Sequence, residues 1–256
     1  MASTLLKHVN PHIRDKHIKF YEKGHIYYVK RERGYKSVTT VVHNLFEKFN
    51  ADKIIDRMMA SKNWPESKYF GMTKQEIKDS WNKNRDKAAT SGTNMHALFE
   101  NYYNCIDNSE EDKSSVEYGY FENFINDHME LVPYRTEWNV FHEEAKLAGS
   151  IDMVYINEDG TLSIYDWKRC KSIDKFSSFN KCSIHPKFKH IPDTNYWHYS
   201  LQLNVYKTIL EEKYGFAVKD LHLVVIHPEN SDNYVKIQLP IMKNEMRELF
   251  DELSQS

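Results

Sequence analysis

Alternation of apolar and polar residues divides the chain into strands and helices. Residues His17 to Lys30 alternate as a hairpin, with His17-Ile-Lys-Phe-Tyr, a turn at Glu22-Lys-Gly24, then His25-Ile-Tyr-Tyr-Val-Lys30. Ser37 reads as the N-cap of a helix through Val41, Val42, Leu45 and Phe46 that runs on towards Met58. Thr73-Lys-Gln-Glu76 is a capping-box pattern, and the helix it opens carries Ile77, Trp81 and Ala88. Ser91-Gly92 predicts a break, with a new helix from about Thr93 whose apolar side is Met95, Leu98, Phe99 and Tyr102. Ser114-Ser-Val-Glu117 opens another helix through Phe121, Phe124 and Ile125. Strands follow at Tyr134–Phe141, Leu147–Ile156 and Leu162–Lys168, the last two joined by a turn at Asp159-Gly160. An amphipathic helix spans Trp197–Tyr214 and stops at Gly215. Strands at Leu221–His227 and Tyr234–Leu239 precede a last helix through Met246, Leu249 and Phe250.

That order predicts an α/β or α+β fold, a central sheet flanked by helices. The 256 residues suit one domain with an elaboration, divided as an N-terminal hairpin and helical part over 1–90 and a core over 91–256. Hydrophobic content of 40% and aromatic content of 14% support a packed core. The formal net charge is −2, so a nucleic-acid partner would have to be held by a local patch. No apolar run reaches the length of a membrane span, and the N-terminus reads as lacking a signal peptide. Cys105, Cys170 and Cys182 are odd in number and irregularly spaced, which predicts an intracellular, reducing compartment and no disulfide framework. They are too few for an all-cysteine iron–sulfur cluster.

Candidate chemistry sits on the two adjoining strands. Asp152 interrupts one apolar run, Asp166 ends the next, and Lys168 follows on the same face as Asp166. A hairpin brings these groups together, half buried, where they are costly unless a cation or a reaction uses them. Taken alone, such a D-x-K triplet is equally a solvated strand end. His96 and Glu100 share one helical face, and a helix opening at Gly92-Thr93 would offer free amides to a phosphate. Equally, His96 is a core or surface residue and Glu100 the partner of a lysine. Gln202 and Tyr206 form a similar pair, or simply the wet side of their helix.

These pieces occur in a known order. Gly92-Thr-Asn-Met-His96-Ala-Leu-Phe-Glu100 resembles the G-T-x-x-H-x-x-x-E motif of RecB-type nucleases, and Gly149-Ser-Ile-Asp152 their G-x-x-D strand. Asp166-Trp-Lys168 resembles their D/E-x-K strand, and Gln202-x-x-x-Tyr206 their trailing Q-x-x-x-Y helix. The chain is thus similar to the PD-(D/E)xK nuclease superfamily, nearest to RecB-like exonucleases such as the mitochondrial genome maintenance exonuclease group. The resemblance covers about Trp81 to Tyr214, and Ser37-Val-Thr-Thr40 is also alike.

The resemblance implies a restriction-endonuclease-like core and a metal-dependent DNA exonuclease that prefers single strands or free ends. Asp152, Asp166, His96 and the main-chain carbonyl of Trp167 would hold one or two Mg²⁺ or Mn²⁺ ions. Asp152, Asp166 and Lys168 would be catalytic, with Lys168 orienting or helping to deprotonate the attacking water. Thr93, Gln202 and Tyr206 would hold the phosphate backbone, and Glu100 would steady His96 or another ligand from behind. Relatives with an iron–sulfur cluster carry four cysteines that this chain lacks, so none is expected here. Glu137 reads as a surface strand position, with an extra acidic group of the site as the alternative. The connection Cys170 to Tyr196 carries Lys171, Lys175, Lys181, Lys187 and Lys189 among Phe176, Phe179 and Phe188, as a single-strand binder would. The alternative is a solvated loop whose aromatics pack on the core. An endonuclease acting on DNA or RNA, or a non-catalytic nucleic-acid-binding subunit, are the rival functions.

Overall fold

Strand alternation places one set of apolar side chains above a central sheet and another below it. The computed structural model describes residues 5–177, 179–230 and 233–255. In chain order it contains α1 (Leu6–Val9), β1 (Ile18–Tyr21), β2 (Ile26–Val29), β3 (Lys36–Ser37), α2 (Val38–Asn44), α3 (Ala51–Met59), α4 (Lys74–Tyr103), α5 (Glu110–Lys113) and α6 (Val116–Asp127). There follow β4 (Val132–His142), β5 (Leu147–Ile156), β6 (Leu162–Lys168), α7 (Asn195–Lys213), β7 (Val218–Val225), β8 (Val235–Gln238) and α8 (Lys243–Gln255). β1 and β2 form a hairpin of their own, and the other strands form a six-stranded mixed sheet. The fold is α+β, a mixed sheet flanked by helices, as the element order predicts.

β5 is the strand on which the site depends. β4 runs antiparallel along one edge from Val132 to His142. The other edge is shared, with β3 parallel at Leu147 and Ala148, and β6 antiparallel from Met153 to Ile156. β6 then continues into parallel β7 and antiparallel β8. One face of the sheet packs Val154, Ile164, Leu221 and Leu223 against α2, α7 and α8. The other packs Met153, Tyr155, Tyr165 and Trp167 against Met95 and Phe99 of α4 and Phe121 and Phe124 of α6.

Several expectations need correction. Ser37 caps α2 by accepting from the Thr40 amide at 3.1 Å, but that helix ends at Asn44. Asn50 starts a separate helix, α3, by accepting from the Lys53 amide at 3.0 Å. Thr73 and Glu76 do form a capping box, yet α4 then runs unbroken through Ser91-Gly92 to Tyr103. A glycine inside a helix costs only about 0.5–1 kcal/mol relative to alanine, too little to break one anchored by Met95, Phe99 and Tyr103. A boundary at residue 90 therefore falls inside α4. β3 and α2 also belong to the main sheet and its core rather than to an appendage. α7 is buried on both sides from Ser200 to Tyr206 rather than amphipathic, because it lies between the sheet, α2 and α8. Its polar Asn204 is satisfied by Pro240 O at 2.9 Å and the Met242 amide at 2.8 Å. The loop between β5 and β6 is longer than a two-residue turn, closing where the Asn157 amide meets Thr161 O at 2.8 Å. Among the described residues no helix is long and apolar enough to cross a membrane.

Candidate metal centre

The sheet opens between β5 and β6, and the candidate site lies in that gap. β6 pairs with β5 only from Leu162 to Tyr165, so from Asp166 onward it is held by β7 alone. Side chains meet the Trp167 backbone instead. Asp152 Oδ2 accepts from the Trp167 amide at 3.0 Å, and His96 Nε2 lies 3.0 Å from the Trp167 carbonyl oxygen. By strand parity Asp152, Asp166 and Lys168 turn to the α7 face with Val154 and Ile164. Lys168 Nζ pairs with Asp166 Oδ2 at 2.5 Å and sits 4.9 Å from the centre of the Tyr199 ring. His96 comes from α4, whose Met95 and Phe99 anchor it on the opposite face.

Glu137 on β4 stands across from Asp152, because its neighbours Thr136 and Trp138 pair with Met153 and Ile151. Its Oε1 is 3.5 Å from His96 Nδ1, and Asp152 Oδ2 is 3.6 Å from the same nitrogen. The ligand atoms of His96, Glu137 and Asp152 all lie within 4.8 Å of one another. Ser150 Oγ donates to Glu137 Oε2 at 2.8 Å, and Thr136 Oγ1 donates to the Asp152 carbonyl at 2.9 Å. Like charges directly opposite destabilise a sheet. Glu137 also has a φ of +43°, a left-handed conformation that costs of order 1–3 kcal/mol outside glycine. Local strain and like-charge repulsion thus coincide at one pair of carboxylates.

The electrostatics follow from burial and crowding of acids. Burial alone would push His96 down, but Asp152 and Glu137 outweigh it and raise its pKa to about 9. Burial raises Asp166 to about 7, with the Asp152 charge adding to it and Lys168 opposing. Asp152 is raised by burial too, against the pull of His96 and Lys168. Burial would lower Lys168, yet Asp166 and Asp152 more than offset this and its pKa is raised. Three carboxylates, Glu137, Asp152 and Asp166, thus crowd around His96 and Lys168.

Of the expected site residues, His96, Asp152, Asp166, Trp167 and Lys168 do come together. The compact donor cluster differs from the expected ligand set: Glu137 is in it, and Asp166 stands beside it as the partner of Lys168. A register shift between Pro133 and Arg135 is what brings Glu137 opposite Asp152 instead of Ile151. Glu100 shares a cleft of about 550 Å³ with Glu137, Arg135 and Lys7, and its carboxyl is pushed up by burial and then by Glu137. Among the described residues no hydrogen bond joins Glu100 to His96. Thr93 is exposed in mid-helix, so its amide is bonded within α4 and is not a free phosphate seat. Tyr206 is only 3% exposed, and a Cβ at Gly149 would lie 2.7 Å from its hydroxyl oxygen. Tyr206 packs under β5 against Gly149. Gln202, also buried, lines a small cleft with Thr39, His198 and Tyr199.

The connection from β6 to α7 behaves mainly as a wrapped segment. Phe188, Ile191 and Tyr196 join the core. Lys171, Lys181 and Lys187 are paired with Glu229, Glu47 and Glu248, so carboxylates already meet cations expected to meet phosphates. Phe176 and Phe179 remain outside, 87% and 74% exposed.

No family model matches the chain, and no curated protein does. Among solved structures the chain is similar to one titled "Crystal structure of SSO0001", at 12% identity over 88% of this chain and 76% of that one, with a TM-score of 0.37. So loose a likeness carries no functional argument.

Proposed function

We propose that this protein is a metal-dependent nuclease of the PD-(D/E)xK kind, a DNA exonuclease that prefers single strands or free ends. The observation behind this reading is the gap between β5 and β6, where the ligand atoms of His96, Glu137 and Asp152 lie within 4.8 Å of one another beside the Asp166–Lys168 pair, with the Trp167 carbonyl against the other ring nitrogen of His96. One imidazole among hard oxygen donors suits Mg²⁺ or Mn²⁺. A divalent ion bound there would polarise the phosphate and lower the pKa of a bound water. His96, Glu137, Asp152 and the Trp167 carbonyl would hold it, with Asp166 in reach of a second ion. Lys168, paired with Asp166, would orient the attacking water or help deprotonate it and offset charge on the phosphate. Asp152 also binds the Trp167 amide, which locks the carbonyl on that residue in place.

The test uses end-labelled single-stranded DNA, linear duplex and a covalently closed single-stranded circle, each with Mg²⁺ or Mn²⁺ and with EDTA as blank. Linear strands should disappear while circles persist, only with metal. Cutting of the circle would make the enzyme an endonuclease, and cleavage in EDTA would refute the metal mechanism. Asp166→Ala and Lys168→Ala should each abolish cleavage while leaving the fold and DNA binding largely intact. Glu137→Gln should lower it by about 10–100-fold, the usual cost of losing a group that holds or orients a metal. Full activity in either alanine variant would overturn the site.

A further inference from the structure

The β1–β2 hairpin lies outside the main sheet and presents two unlike faces. Ile18, Tyr27 and Val29 are buried against the body of the protein, and the charge of Glu137 reaches the Tyr27 hydroxyl. Alternation then turns Lys19, Tyr21, Tyr28 and Lys30 outward. With Lys16, His17 and Arg31 these residues line a cleft of about 790 Å³ whose lining includes no carboxylate, Lys30 itself being paired with Glu143 at 3.0 Å. Among the described residues Lys16, Lys19 and Arg31 form no ion pair. Tyr21 is 51% exposed and meets the Tyr28 ring edge-on at 5.1 Å, while the Arg33 guanidinium lies 5.0 Å from that ring. In a chain of net charge −2, this concentration of cations is local.

The turn that follows β2 points the same way. The Val29 amide bonds Glu32 O at 3.0 Å and the Glu32 amide bonds Val29 O at 2.9 Å, enclosing Lys30 at φ +51° and Arg31 at φ +72°. A two-residue turn with both central residues left-handed is ordinarily filled by Asn-Gly. Here two long cationic side chains occupy it against their backbone preference. Strain of this kind persists where it serves a site.

We propose that the outer face of this hairpin binds a single strand of nucleic acid beyond the catalytic centre. Lys16, Lys19 and Arg31 meet its phosphates, and Tyr21 stacks on an unpaired base. The choice of polymer rests on the nuclease reading, while the surface itself plays no part in cutting. Its inner face carries the buried Tyr27, on the side of the hairpin turned away from the bound strand.

The full chain is titrated in EDTA, so that nothing is cut, against fluorescein-labelled oligothymidylate over a range of salt. The variant K16A/K19A/R31A should bind about tenfold more weakly or worse, and its log–log salt slope should flatten by about 2, since each single-strand phosphate contact contributes about 0.7. Arg31→Gly alone should weaken binding while the melting temperature holds or rises, because glycine suits that φ. Tyr21→Ala should weaken binding to the single strand and leave duplex binding as it was; equal loss for both would overturn the single-strand assignment. Unchanged affinity and slope in the triple variant would overturn the proposal, and if that variant fails to fold, wild-type binding by Arg31→Gly would do so. A protein that cuts nothing but binds through the hairpin would refute the nuclease reading alone. Cleavage with binding indifferent to these residues would refute this one alone.

Discussion

At Gly149 a single hydrogen separates β5 from α7. A methyl group there would lie 2.7 Å from the Tyr206 hydroxyl oxygen and 2.8 Å from its Cε1, with a buried ring that has nowhere to retreat. Gly149→Ala should therefore destabilise the protein by about 1–3 kcal/mol, the usual cost of overpacking, as read from a denaturant midpoint. Tyr206→Phe should restore only part of that, because the ring carbon clashes as well as the oxygen. The same contact explains why a glycine in one sequence motif and a tyrosine in another belong to one physical unit. Sequence placed both residues, but as separate features, with Tyr206 as a substrate contact. Glu137 shows the converse. Its spacing marks it as an ordinary strand position, and only the bulge in β4 makes it the neighbour of Asp152.

At the level of elements, caps and alternation were the legible signals. The Ser37 and Thr73 caps and the bounds of β5 and β6 follow from local chemistry and appear as expected. The break at Ser91-Gly92 does not, since tertiary anchoring outweighs a weak local preference. Gly92→Ala should consequently stabilise the protein by about 0.5–1 kcal/mol, because a Cβ there meets nothing within 4 Å. An unchanged or lower melting temperature would argue against a continuous α4. β7 carries a second test. Burial, and then Lys236, hold His222 down to about 4 from 6.5, against the pull of Asp220, and its ring lies 4.5 Å from that of Tyr165. The unfolded chain takes up this proton near pH 6.5 while the folded one resists to about 4, so the contribution is full above 6.5 and is lost as pH falls through that window. His222→Phe should flatten the decline in stability between those values in urea melts. An identical pH profile would show that His222 does not titrate as its surroundings dictate.

For the whole molecule, the proposed metal centre requires α4, β4, β5 and β6 to be assembled, so metal binding there would be linked to folding. Mg²⁺ or Mn²⁺ at a hundredfold excess over its Kd should raise stability by about 2.7 kcal/mol, seen as a higher melting temperature that EDTA reverses. Asp152→Asn should lose most of that shift; an equal shift in the variant would place the ion elsewhere. Sequence by itself determined a central sheet flanked by helices, the strands that carry Asp152, Asp166 and Lys168, and the helices that carry His96 and Gln202. These follow because periodicity, caps and turn residues act over a few neighbours and leave a mark within each short window. Tertiary structure alone decided that β6 leaves β5 after Tyr165, that Glu137 replaces Asp166 in the compact donor cluster, that Tyr206 is buried, and that Lys171, Lys181 and Lys187 of the long connection are already paired. Those outcomes depend on register, on one extra residue in β4 and on which carboxylate lies nearest each ammonium. Such relations join residues far apart in the chain, and no local pattern records them.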